Sequence, residues 1–233
     1  MRKVSEEKLQ AERERLRGMR AVEDRLRADG VQYIIGVDEV GRGPLCGPVT
    51  AAACVLPADC EILFLNDSKK LSEKKRELLY DEIKDKALAC GISSVSPERI
   101  DEINILQATF EAMRAAVDIC CRALYGTPEA LLDQEQTSSV MVLVDGDKRI
   151  PALSLPQKNL IKGDGNAVSI AAASVLAKVT RDRMMYEYDA IYPGYEFEKN
   201  KGYGTKAHYE ALKIQGITPI HRRSFLKNLR EHM

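Results

Sequence analysis

Four acidic residues in this 233-residue chain stand where acids are costly. Asp38 and Glu39 follow Ile34, Ile35 and Val37 in "YIIGVDEVGRG". A strand there should enter a core, and a buried carboxylate is unfavourable unless something pairs with it. Asp145 ends a second apolar run, "VMVLVDGDK", and Asp164 sits between glycines in "IKGDGNAVSIAAAS", just ahead of an alanine-rich helix. Two strand ends and a helix start can bring four carboxylates to one point, where they repel one another unless a cation shares them. Oxygen donors without His or Cys select Mg²⁺ or Mn²⁺. Two such ions, about 3.5–4 Å apart, clamp the attacking water and the leaving oxygen of an in-line phosphodiester displacement. Either Asp145 or Asp164 alone would serve equally as a turn former or cap, so the argument rests on convergence. Asp182, in "VTRDRM", is a rival fourth ligand, but its mid-helix place among charges reads as a solvated ion pair.

The elements that must position these acids follow from periodicity. Residues 5–29 carry Leu9, Leu16, Met19, Val22 and Leu26 at helical spacing, with Gly30 as a stop. Strands are expected at about 31–38 and 48–56, joined by the turn "VGRGPLCGP" as a hairpin-like pair. A helix from Ser72 and a short strand over 89–95 come next. The stripe Leu106, Phe110, Met113, Val117, Cys120, Leu124 then predicts a helix with Asn104 as its cap. Residues 126–139 are polar and read as a loop or surface excursion before a buried strand over 140–146, and a long helix is expected over 167–188. A last helix should run from about Thr205 to Ile214 ahead of a basic tail. The sum is an α/β protein, a mixed sheet flanked by helices with a helical C-terminal part.

Composition narrows the class without naming a partner. Lys plus Arg and Asp plus Glu balance at 35 each, yet the segment from Lys199 to Met233 holds eight Lys or Arg against two Glu, with all three histidines. Such a segment can lie along a phosphate backbone. No apolar run reaches the roughly 18 residues of a membrane span, and the first residues lack a secretory h-region. A cytoplasmic protein without membrane contact is expected. Six cysteines without CxxC spacing read as core filling. "GRGPLCG" is not a phosphate-binding P-loop, since no GK[ST] follows. Its glycines suit close backbone approach to a ligand, with Arg42 adding charge-assisted contacts.

The blocks "GVDEVGRGPLCGPVTAAACVL", "NDSKKLS", "VDGD", "KGD", "SIAAASVLAKVTRDRMM", "KGYGTKAHYEAL" and "PIHRRSF", in order from about residue 33 to 225, resemble the type 2 ribonuclease H family, ribonuclease HII. The resemblance implies a ribonuclease H-like fold and two-metal hydrolysis of the RNA strand in RNA/DNA hybrids. It also implies incision 5′ to a ribonucleotide embedded in duplex DNA, in the service of ribonucleotide removal. On the same ground Asp38, Glu39, Asp145 and Asp164 match the family's four metal-binding acids. Gly41, Arg42 and Gly43 match the backbone motif that senses the 2′-hydroxyl, the group that separates RNA from DNA. Tyr203 matches the aromatic that stacks on the following deoxyribose, and Ser68, Lys69 and Lys70 match a loop that holds phosphates. His221, beside Arg222 and Arg223, is expected to touch backbone phosphate or to cap a turn.

The implied organisation is an N-terminal helical extension over 1–30, a ribonuclease H-like catalytic domain over 31–190, and a basic, helical substrate-binding part over 191–233, acting as a monomer. A DNA-only nuclease of the same fold would have no 2′-hydroxyl to read. A non-catalytic hybrid-binding module would leave four intact acids without a purpose.

Overall fold

A computed structural model of the chain describes residues 5–226; His232 and the end of the basic tail lie outside them. In order, the elements are α1 (Glu6–Ala28), β1 (Tyr33–Val40), β2 (Val49–Val55), α2 (Glu73–Lys86), β3 (Ala89–Val95), α3 (Pro97–Tyr125), α4 (Gln134–Ser138), β4 (Val140–Asp145), β5 (Gln157–Leu160), α5 (Val168–Ile191), α6 (Phe197–Asn200) and α7 (Lys206–Gln215). The strands form one mixed sheet in the order β3-β2-β1-β4-β5. β1 pairs antiparallel with β2 and parallel with β4, so it is the central strand, with its neighbours fixing both of its edges.

Alternation along the strands divides the core into two layers. Ile35, Val37, Ala51, Ala53, Val142 and Val144 face α3, whose Phe110, Met113, Val117 and Cys120 complete that layer. Ala52 and Cys54 face the opposite way, against Ala172, Val175 and Leu176 of α5, with α1 and α2 outside them. Helix α5 lies unusually close to β1. A Cβ on Gly36 would fall 2.1 Å from the Ser169 carbonyl carbon, so only glycine permits that approach. A third cluster, containing Leu45, Cys46, Met185, Tyr195, Phe197, Leu212 and Ile220, packs the C-terminal segment onto the end of α5 and the 41–48 loop.

Several expectations change. The 126–139 stretch is not plain loop: Asp133 and Gln136 form a reciprocal capping box that starts the short α4. β5 and α6 are too short to show any period; β5 is set by pairing with β4, and α6 buries Phe197 and Asn200. Helix α3 begins seven residues before Asn104 and breaks there, at φ 68°. The Asn104 side chain accepts from the Leu106 and Gln107 N–H groups, so the residue caps the second segment as its sequence suggests.

The N-terminal helix does more than cover apolar surface. Ala167, at the start of α5, offers no side-chain cap, and the fully buried Glu23 of α1 takes over that role. Its Oε1 accepts from the Ser169 N–H at 2.9 Å and from the Ser169 hydroxyl at 2.8 Å, and Arg27 stands 3.7 Å from Oε2. Burial raises the Glu23 pKa, while the bonds to Ser169 oppose the rise. Glu23→Ala should therefore lower stability by about 1–3 kcal/mol, the cost of leaving buried donors without their acceptor. Chemical denaturation checks this, with the exposed Glu14→Ala as a neutral control.

Candidate active site

Parallel register places two of the acids together. Val37 pairs with Val144, so Asp38 and Asp145 come next on adjacent strands and on the α5 face. Asp164 enters from the turn Gly163–Gly165 that leads into α5. One carboxylate oxygen from each of Asp38, Asp145 and Asp164 lies within 4.8 Å of the other two. The turn is locked to the strand, because the Gly163 N–H donates to Asp145 Oδ1 at 2.6 Å. Glu39 follows Asp38 on the strand and so points to the opposite face. There its carboxylate pairs with Arg42 at 3.2 Å and lines, with Leu106, Phe110 and Met113, a groove that reaches Asp145 round the end of the strand.

Burial and the crowding of acids set the electrostatics of the cluster. Burial, then Glu39 and Asp145, push the Asp38 pKa well above the ordinary carboxylate range, while the Ser174 hydroxyl partly opposes them. Asp164 is raised to about 6 by burial, Asp145 and Asp67. Burial also raises Glu39, against the pull of Arg42. Burial works against the Lys69 ammonium, yet Asp38, Asp67, Asp164 and Asp145 together hold its pKa up. A cleft of about 480 Å³ opens over the acids, with Lys69, Lys70 and Lys162 on its walls.

The "DSKKLS" loop is fixed from below. Asp67 caps its short turn through the Lys69 N–H at 2.8 Å. Ser68 is buried, with its hydroxyl 2.9 Å from that of Ser174, so its side chain anchors the loop and does not face the cleft. Asp182 does not join the acids. It is buried, bonded to Lys178 at 2.7 Å and 3.6 Å from Arg76, which in turn holds the Ser68 and Leu71 carbonyls. The solvated ion pair expected from sequence is thus an internal brace.

Gly41, Arg42 and Gly43 stand beside Tyr203. A Cβ on Gly43 would lie 3.5 Å from the tyrosine ring, and Tyr203 is 46% exposed, a surface residue and no part of the core. Gly41 has φ +90°, in the left-handed region, and a Cβ there would strike Arg181 at 2.2 Å. His221 is buried and does not reach the surface. It caps a turn, its Nδ1 accepting from the Thr218 N–H at 2.9 Å. That bond leaves the His221 proton on Nε2, to donate to His208 Nε2 at 3.0 Å, and His208 Nδ1–H then donates to the Tyr203 carbonyl. Burial lowers both histidine pKa values, His221 to about 4, so the relay is neutral. Cys46 Sγ lies within 4.8 Å of these rings, but every ring nitrogen already has a partner.

A family model described as ribonuclease HII matches residues 35–228. The chain belongs to the ribonuclease HII family. A ribonuclease HII of Lachnoclostridium phytofermentans is 56% identical over 223 residues, covering 96% of this chain and 81% of the relative. Two solved structures share the fold. Ribonuclease H2 from Pyrococcus horikoshii OT3 aligns with TM-score 0.64 at 24% identity, over 86% of this chain and 98% of its own. Bst-RNase HIII in complex with Mn²⁺ aligns with TM-score 0.57 at 15% identity, over 84% and 65%. The protein is thus a ribonuclease H-type hydrolase on the ribonuclease H-like fold.

The acid cluster suits a hard divalent cation: three buried or half-buried carboxylates with no nitrogen or sulfur donor among them, and with the Asp38 and Asp164 pKa values raised first by burial and then by repulsion from neighbouring acids. Repulsion of this kind opposes folding when no cation is bound. With a folded-state pKa of about 6 against an ordinary 3.8, ionised Asp164 costs stability above that window, and the cost vanishes as pH falls through it. In chelator at pH 7.5, Asp164→Asn should raise the melting temperature by about 2–6 °C. The gain should shrink toward zero near pH 4, as followed by calorimetry.

Proposed function

We propose that this chain is a metal-dependent endonuclease that hydrolyses the RNA strand of RNA/DNA hybrids and incises 5′ to a ribonucleotide embedded in duplex DNA, leaving 5′-phosphate and 3′-hydroxyl ends. The observation that carries the reading is the meeting of Asp38, Asp145 and Asp164 beside a glycine loop and an exposed tyrosine. Its role would be ribonucleotide removal from DNA.

Asp38, Glu39, Asp145 and Asp164 are the residues that would hold two Mg²⁺ or Mn²⁺ ions, which supply Lewis acidity to the attacking water and to the leaving 3′-oxygen. Asp38 lies deepest, where Ser174 and the Glu39 N–H fix its carboxylate. Lys69 and Lys70 take backbone phosphates at the cleft wall, a positioning role that carries no sequence information. Arg42 and Gly43 present main-chain N–H groups to the ribose 2′-hydroxyl, and Tyr203 stacks on the next sugar. The reading therefore assigns the hydroxyl and the sugar after it to adjacent residues. No side-chain nucleophile is required, and the three histidines form no triad.

An end-labelled duplex holding one ribonucleotide, incubated with Mg²⁺ or Mn²⁺, tests the reading. A single incision 5′ to the ribonucleotide is expected, with the all-DNA duplex intact. Asp38→Asn should lower the rate by at least about 10³-fold. Tyr203→Ala should weaken cleavage about tenfold through lost stacking. Equal cutting of the all-DNA duplex, or none by native protein, rejects it.

A further inference from the structure

Two guanidinium groups, Arg181 and Arg222, are fully buried, and among the described residues neither has a carboxylate within ion-pair distance. An unpaired buried cation is strongly disfavoured unless its donors are satisfied. Here backbone carbonyls satisfy them. Arg222 donates to Gly41 (2.6 Å), Arg42 (3.1 Å), Pro44 (2.9 Å) and twice to Gly47 (2.8 and 3.0 Å). Arg181 donates to Pro48 (2.9 Å), Cys46 (3.1 Å) and Lys201 (3.0 Å). Together they turn the carbonyls of the 41–48 loop inward.

A planar trans peptide points its N–H opposite to its C=O. Drawing the Gly41 and Arg42 carbonyls inward therefore turns the Arg42 and Gly43 N–H groups outward. Both residues are exposed, and neither N–H has a protein acceptor among the described residues. The same clamp reaches the tyrosine. Arg181 holds the Lys201 carbonyl, the Leu45 N–H donates to the Gly202 carbonyl at 2.8 Å, and the histidine relay ends on the Tyr203 carbonyl. A carboxylate partner would have drawn the guanidinium donors away from the loop. Lysine, with three donors on one nitrogen, cannot span the same carbonyls.

We propose that Arg222, seconded by Arg181, is the positioning residue for ribonucleotide selectivity: its inward grip on the loop carbonyls holds the Arg42 and Gly43 amides and Tyr203 in the one arrangement that reads a 2′-hydroxyl at a junction. The proposal rests on the reading of this site given above. Neither arginine touches substrate or the reacting atoms. Their effect is on discrimination more than on the chemical step.

The test compares native protein, Arg222→Lys and Arg181→Lys for binding to a duplex with one ribonucleotide and to its all-DNA counterpart, with Ca²⁺ replacing Mg²⁺, by fluorescence anisotropy. Native protein should prefer the ribonucleotide duplex about tenfold or more. Folded Arg222→Lys should lose most of that ratio while binding all-DNA duplex within about twofold of native, because the phosphate contacts are untouched. Arg181→Lys should show a smaller loss. A purely structural role would lower the active fraction and leave the ratio alone, so an unchanged ratio in either folded variant overturns the proposal. If neither variant folds, amide NMR of native protein decides: the Arg42 and Gly43 signals should shift with the ribonucleotide duplex and not with all-DNA, and equal shifts overturn it. Failure of native protein to cleave or prefer the ribonucleotide duplex would instead remove the functional reading beneath the proposal.

Discussion

Mutual repulsion among carboxylates in a confined, poorly solvated space is the constraint around which this fold is organised. Parallel pairing of β1 with β4 puts Asp38 and Asp145 side by side, and the glycine turn before α5 adds Asp164. Each step works against the stability of the cation-free chain. The scaffold responds with fixed donors, Ser174 toward Asp38 and the Gly163 N–H toward Asp145. Such preorganisation keeps the acids at their posts when nothing neutralises them, as an electrostatic site needs.

Helix α5 is the member through which most of these constraints pass. Its first turn is capped by Glu23 from α1, and Ser174 meets both Asp38 and Ser68. Further along, Lys178 and Asp182 brace Arg76 and, through it, the loop that carries Ser68, Lys69 and Lys70. Arg181 then grips the glycine loop. From Ser174 on, spacings of three and four residues bring Lys178, Arg181 and Asp182 onto neighbouring rows of the helix. Close approach to the sheet, made possible by Gly36 and the buried alanines, sets their depth.

Much of this was legible beforehand because it rests on local signals. Apolar strands interrupted by Asp38 and Asp145, and the Gly-Asp-Gly turn at Asp164, announce a shared site through residue type and position alone. The Leu106-to-Leu124 stripe and the Asn104 cap are equally local. Groups whose roles depend on distant partners were not legible. Arg222 reads as part of a basic tail and proves buried; Asp182 reads as solvated and proves an internal brace; Ser68 reads as part of a phosphate-holding loop, and its side chain is turned inward against Ser174. Nothing in a charge run says which cation turns inward. β5 and α6 escaped because their few residues owe their conformation to neighbours.

The sequence separation of the Arg222 contacts gives the molecule an order of assembly. Its acceptors at Gly41, Arg42, Pro44 and Gly47 lie 175 to 181 residues earlier in the chain. During synthesis the acid cluster has all its members once residue 164 has emerged, and Arg181 can hold the Cys46 and Pro48 carbonyls soon after, whereas the Gly41 and Arg42 carbonyls have no clamp until residue 222 is made. Loop closure over such a span is among the last contacts a chain can form. The acids and the loop beside them therefore complete their contacts at different times, and the loop is closed last by residue 222.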